Sequence, residues 1–123
     1  MLPDRRRLDL GARGEELAAS WYVGAGYSVL DRNWRCREGE LDLVLARERL
    51  VVFCEVKTRT GAGFGVPAEA VTLAKQRRLR HLATRWLVER PAGEVWPDLR
   101  FDVACITLRP GAPPDVEIIE AAF

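Results

Sequence analysis

Three charged side chains stand at strand-like spacing on two neighbouring segments: Asp42 in Gly39-Glu40-Leu41-Asp42-Leu43, and Glu55 and Lys57 in Phe53-Cys54-Glu55-Val56-Lys57. Alternate residues of a strand share a face, so Glu40, Asp42, Val44 and Ala46 form one row and Val51, Phe53, Glu55 and Lys57 another. A hairpin turning between Glu48 and Arg49 sets Asp42 opposite Glu55, Val44 opposite Phe53, Ala46 opposite Val51 and Glu40 opposite Lys57. A slip of one residue would mix charged with apolar partners, so the pattern favours this register.

Two carboxylates facing each other repel, and such a pair is tolerated when a cation sits between them or one takes up a proton. No cysteine or histidine is placed to ligate, and oxygen donors select a hard ion, Mg²⁺ first and Mn²⁺ as a substitute. The expected ligands are Asp42, Glu55 and the carbonyl of Val56, with Glu15 as a further carboxylate. Lys57 is placed to stabilise charge growing on a phosphate or to orient a water. The chemistry that follows is in-line displacement of a phosphodiester oxygen by a water activated at the ion. The competing reading is a solvated hairpin face with cross-strand ion pairs, Glu40 with Lys57 among them. Against it, Glu55 and Lys57 end the most apolar strand of the chain, where isolated charges are costly.

These residues need elements to carry them. Helical periodicity runs from about Asp9, a plausible N-cap, to the glycines at Gly24 and Gly26, with Gly11, Gly14, Glu15, Ala18, Trp21 and Tyr22 on the inward stripe and Glu16 outward. Three strands follow, Tyr27 to Asn33, Glu40 to Ala46 and Leu50 to Lys57, the last nearly unbroken in its apolar run. A glycine-rich loop from Gly61 to Gly65 is expected to be mobile. The second helix spans about Ala68 to Glu89, burying Leu79, Leu82, Ala83, Trp86 and Leu87 and turning Arg77, Arg78, Arg80 and Arg85 mostly away. Lys75 lies one turn before Leu79, aimed at the charged rim or covering the core edge with its stem. The arginines form a solvated surface or bind phosphates. Strands from Leu99 to Thr107 and Asp115 to Ile119 complete the order α-β-β-β-α-β-β. Because the second helix returns the chain across one sheet face, the strand near Phe101 is expected parallel to the central strand, in a mixed sheet flanked by helices. Cys54 and Cys105 read as small buried hydrophobes, His81 as a surface residue, and Asp102 as a structural salt-bridge partner.

Bulk properties bound the function. A chain of 123 residues that is 48% hydrophobic suits one domain with a real core, covering 1–123. Nineteen basic against eighteen acidic residues leave a net charge of +1, so any attraction to phosphate has to be local. Three scattered cysteines without CxxC spacing suggest a reduced, cytoplasmic chain. No segment reaches the ~18 apolar residues of a membrane span, and the basic start has no apolar stretch behind it.

The ordered set Gly11-x-x-Gly14-Glu15, Asn33-x-Arg35, Gly39-Glu40-Leu41-Asp42-Leu43, Phe53-Cys54-Glu55-Val56-Lys57-Thr58-Arg59, Lys75-Gln76, Arg100-Phe101-Asp102-Val103 and Ala122-Phe123 resembles the YraN-like bacterial family along almost the whole chain. That family is in turn similar to Holliday-junction resolvases and restriction-endonuclease-like nucleases. The resemblance implies a restriction-endonuclease-like α/β core and marks Glu15, Asp42, Glu55 and Lys57 as a catalytic quartet. Lys75, Gln76, Arg59 and Arg77 are the expected substrate-binding residues. The implied activity is a Mg²⁺-dependent endonuclease or resolvase acting on DNA, branched DNA included, with a homodimer as the working form. The alternative is a non-catalytic nucleic-acid-binding or adaptor protein that keeps the nuclease fold.

Overall fold

The computed structural model describes residues 5–61 and 71–123. Helix α1 covers Arg5–Gly24 and strands β1, β2 and β3 cover Ser28–Cys36, Gly39–Arg47 and Leu50–Thr60. Helix α2 covers Leu73–Val88, followed by β4, Asp98–Leu108, and β5, Asp115–Ile119. The expected order α-β-β-β-α-β-β and the expected mixed sheet flanked by helices are both present. The sheet runs β1-β2-β3-β4-β5, and β3 pairs with β4 parallel from Leu50↔Asp98 to Thr60↔Leu108 while the other three neighbouring pairs are antiparallel.

Each sheet face carries one helix. Ala18, Ala19 and Tyr22 of α1 pack with Leu43, Leu45, Val52, Cys54, Ala104 and Ile106. On the opposite face, Leu79, Leu82, Ala83 and Trp86 of α2 pack with Val44, Val51, Phe53, Phe101 and Val103. From Leu43 on, alternate residues of β2 and β3 thus serve different helices, which is why the central run reads as almost continuously apolar. Cys54 and Cys105 are buried and unpaired, as expected. No helix among the described residues is long and apolar enough to cross a membrane.

Several boundaries differ from the sequence expectation. Asp9 lies inside α1 rather than capping it, because the preceding Arg-Arg-Arg-Leu segment is itself built of good helix formers. The helix stops where Gly26, at φ 93°, lets Tyr27 N–H reach Tyr22 O and Gly26 N–H reach Val23 O. Trp21 is 38% exposed and leaves the inward stripe to Ala18, Ala19 and Tyr22. Helix α2 begins at Leu73 with Thr72 as N-cap, its hydroxyl accepting from Lys75 N–H at 3.2 Å. Positions 68–70 of the expected helix, and the glycine-rich loop beyond Gly61, lie outside the described residues.

One buried charge ties the layers together. Asp102 is 0% exposed and accepts two hydrogen bonds from Arg100, both at 2.8 Å, one from Tyr22 Oη at 2.7 Å and one from Ala121 N–H at 3.1 Å. Burial pushes the Tyr22 hydroxyl well above its usual range, so it remains a donor. The structural salt bridge expected of Asp102 is therefore observed.

Candidate active site

The β2–β3 hairpin adopts the expected register at Val44↔Phe53 and Ala46↔Val51, turning through Glu48 and Arg49. Glu48 supplies the positive φ, 55°, that glycine or asparagine usually provides at such a tip. The ladder then ends at Leu43↔Cys54. Asp42 with Glu55 and Glu40 with Lys57 are therefore not ladder pairs, which corrects the expected rim. Beyond Cys54, strand β3 continues against β4, and the Val56 N–H donates to Asp42 Oδ2 at 2.9 Å instead of to a β2 carbonyl. Glu40 pairs with Arg35 of β1 at 3.2 Å rather than with Lys57.

The opening so made is a cleft of about 430 Å³ lined by Leu10, Gly11, Glu15, Asp42, Glu55, Val56, Thr58 and Thr60. Helix α1 reaches it because Gly14 carries no side chain: a Cβ there would lie 1.8 Å from Thr58 Oγ1. Glu15, the next residue, is half-buried at the cleft, while Glu16 is exposed and bonded to Arg32 at 2.7 Å. A second cleft of about 370 Å³ shares Gly11, Glu15 and Asp42 and adds Ala12, Asn33, Arg35 and Glu40.

The acids repel one another. Burial first, and then the Glu55 carboxylate, push Asp42 up to about 7. Glu15 is also raised, mainly by burial, against the opposing effect of a hydrogen bond from Asn33. Two lysines stand beside Glu55, Lys75 at 3.4 Å and Lys57 at 4.0 Å. Burial and the neighbouring Lys75 ammonium lower Lys57 from the usual lysine range.

Glu15, Asp42, Glu55, Lys57 and Lys75 are thus brought together. Gln76 lies one residue further along α2 and donates its amide to Val71 O at 3.1 Å. Arg59 is half-buried on β3 and close enough to Cys105 to affect its thiol. Arg77 is exposed and lines neither cleft. Asn33 is a residue to which sequence reasoning assigned no role, although it stood in the Asn33-x-Arg35 motif at the end of the expected first strand.

The donor set suits a hard cation. A strand residue presents its N–H and C=O on one edge, so the Val56 carbonyl faces the same gap as the N–H that reaches Asp42. Among the described residues no three His, Cys, Asp or Glu side chains close into a preformed cage. Two carboxylates and one carbonyl form an open oxygen set, the kind that binds Mg²⁺ while it keeps several waters.

Fold and cleft together define a mixed α/β protein whose sheet opens, between two of its strands, onto acidic side chains bordered by lysines. Residues 14–106 match the family described as Uncharacterised protein family UPF0102. A UPF0102 protein of Rhodococcus jostii (strain RHA1) is 52% identical over 116 residues, covering 94% of this chain and 97% of the relative. One from Nocardia farcinica (strain IFM 10152) is 49% identical over 114 residues, covering 93% and 88%. One from Clavibacter michiganensis subsp. michiganensis (strain NCPPB 382) is 48% identical over 117 residues, covering 95% and 98%. The chain belongs to UPF0102, the YraN-like family.

Proposed function

We propose that the protein is a divalent-cation-dependent endonuclease that hydrolyses phosphodiester bonds in DNA, with Glu15, Asp42, Glu55 and Lys57 as its working groups. The observation that carries this reading is the convergence of Asp42, Glu55 and Lys57 where β2 and β3 part, in a cleft that α1 completes with Glu15. Mg²⁺, or Mn²⁺ in its place, would be held by Asp42, Glu55 and the Val56 carbonyl, with Glu15 as a further carboxylate. When bound, such an ion supplies neutralisation of phosphoryl charge and acidification of a water.

The chain's own groups divide the remaining work. Hydrolysis forms one bond from a water oxygen to phosphorus, breaks the bond to the leaving oxygen and returns a proton to that oxygen. Glu15 or Glu55 accepts the proton lost by the attacking water. The Lys57 ammonium stands beside the phosphoryl oxygens, where it stabilises the charge that grows on them or orients the water. Lys75, with Gln76, Arg59 and Arg77 further out, contacts flanking phosphates. A two-fold pair of copies, cutting two strands of branched DNA together, and a cytoplasmic setting belong to the same reading.

A non-catalytic binding role based on the α2 arginines has less to support it. Arg80 lies over the Phe101 ring, 4.7 Å from its centroid, and Arg85 is paired with Glu38 and Glu89. The test is incubation of the pure protein and its Asp42→Asn variant with labelled linear, nicked, branched and single-stranded DNA in Mg²⁺, Mn²⁺ or EDTA. Ion-dependent cleavage that disappears in the variant is expected. Failure of the wild type to cut any substrate in either ion would overturn the reading.

A further inference from the structure

Asn33 sits in the middle of β1 with a φ of 49°. Left-handed backbone within a strand is uncommon, and asparagine is among the few residues that tolerate it. The rungs on either side, Arg32↔Leu43 and Trp34↔Leu41, place Asn33 opposite Asp42. Both strands change allegiance at this rung. Leu43 packs with the α1 cluster and its partner Arg32 reaches Glu16 of α1, whereas the next partners, Trp34 and Leu41, pack with the α2 cluster. The reversal puts Asn33 in the cleft it shares with Glu15 and Asp42. Its neighbour Arg32 binds Glu16, the residue next to Glu15 on α1, at 2.7 Å.

We propose that Asn33 is a positioning residue whose side-chain amide donates to the Glu15 carboxylate and holds it facing Asp42. The proposal rests on the nuclease reading for its purpose, but its geometry can be tested separately. A carboxylate on a helix has several rotamers, and a donor on the facing strand selects one of them. The positive φ keeps the amide aimed at α1, so the backbone conformation serves the contact and is more than a local irregularity.

Two substitutions separate the side chain from the backbone. Asn33→Gly accepts the same φ without the amide, and Asn33→Asp keeps the shape but sets a carboxylate against Glu15. With DNA cleavage as the readout, Asn33→Gly is expected to lower kcat by about tenfold or more with KM little changed, and Asn33→Asp to lower it further. Unchanged kcat in Asn33→Gly overturns the proposal and assigns Asn33 a backbone role. The second readout needs no activity: the NMR resonance and hydrogen exchange of the Asn33 side-chain amide in the full chain. Glu15→Gln is expected to shift that resonance and speed its exchange, while Glu16→Gln leaves both as they were. An amide indifferent to Glu15→Gln overturns the proposal whether or not the wild type cuts DNA, and a responsive amide in a protein that cuts nothing sinks the nuclease reading alone.

Discussion

The Val56 backbone N–H donates to Asp42 Oδ2 at 2.9 Å, immediately beyond Leu43↔Cys54, the last rung that joins their strands. One side-chain bond thus replaces a backbone bond at the point where the sheet opens. It pins one Asp42 oxygen and turns the carboxyl toward Glu55. Asp42→Asn preserves both features, since the amide carbonyl can accept from Val56 and the NH₂ can donate to Glu55. The variant is expected to fold, to melt at or above the wild-type temperature without added metal, and to cleave DNA at least about a hundredfold more slowly. Differential scanning fluorimetry and a single-turnover assay check the two halves.

The protonation of Asp42 sets a pH dependence for the metal-free protein. Its folded pKa is raised from 3.8 to about 7, so between those values the folded chain holds a proton that the unfolded chain has lost. Stability from this group falls as pH rises from about 4 to about 7, then levels off. Melting temperatures measured across that window are expected to decline in the wild type more than in Asp42→Asn. Mg²⁺ or Mn²⁺ is expected to restore stability most at and above pH 7, where the ion no longer competes with a proton.

Lys57 and Lys75 share Glu55, and the positive charge of Lys75 helps lower Lys57. Removing Lys75 relieves that repulsion and lets Lys57 keep its proton to higher pH. If cleavage needs the Lys57 ammonium, Lys75→Ala moves the alkaline limb of the pH–rate profile upward, whereas Lys57→Ala lowers the rate at every pH. A profile unmoved by Lys75→Ala would separate the two lysines functionally.

Asp102 makes its contribution to stability. Asp102→Ala leaves the largely buried Arg100 guanidinium without its two-point partner and is expected to cost about 3–5 kcal/mol. Tyr22→Phe removes one of several donors to the same carboxylate and is expected to cost about 1–2 kcal/mol. Urea denaturation midpoints distinguish the two.

The strands and their partners were legible from the chain because burial leaves a periodic trace. Val44 and Phe53, or Ala46 and Val51, can be matched by alternation alone. The inward turn of Glu15 follows equally from helical spacing. The end of the β2–β3 ladder was not legible, since it depends on a carboxylate capturing a backbone N–H fourteen residues away in sequence. Glu40 was assigned to Lys57 for that reason, when its partner is Arg35. Trp21 misled because an aromatic on the edge of an apolar stripe can lie at the surface, and here Tyr22 fills the core position. Asn33 was hidden for a different reason: nothing in strand periodicity announces a left-handed residue.

The parallel seam between β3 and β4 has a consequence for the order of folding. The elements that carry Glu15, Asp42, Glu55 and Lys57 follow one another through short connections, whereas β4 must return past α2 before it can lie beside β3. Long loops close more slowly than hairpins. The cleft is therefore gathered early from near neighbours in the chain, and the middle of the sheet is sealed late. Trp86, buried on α2 against Phe53, reports the docking of α2 on the way to that seam, so in a chain whose other three tryptophans are replaced by phenylalanine its fluorescence during refolding trails the formation of the strands that hold the acids.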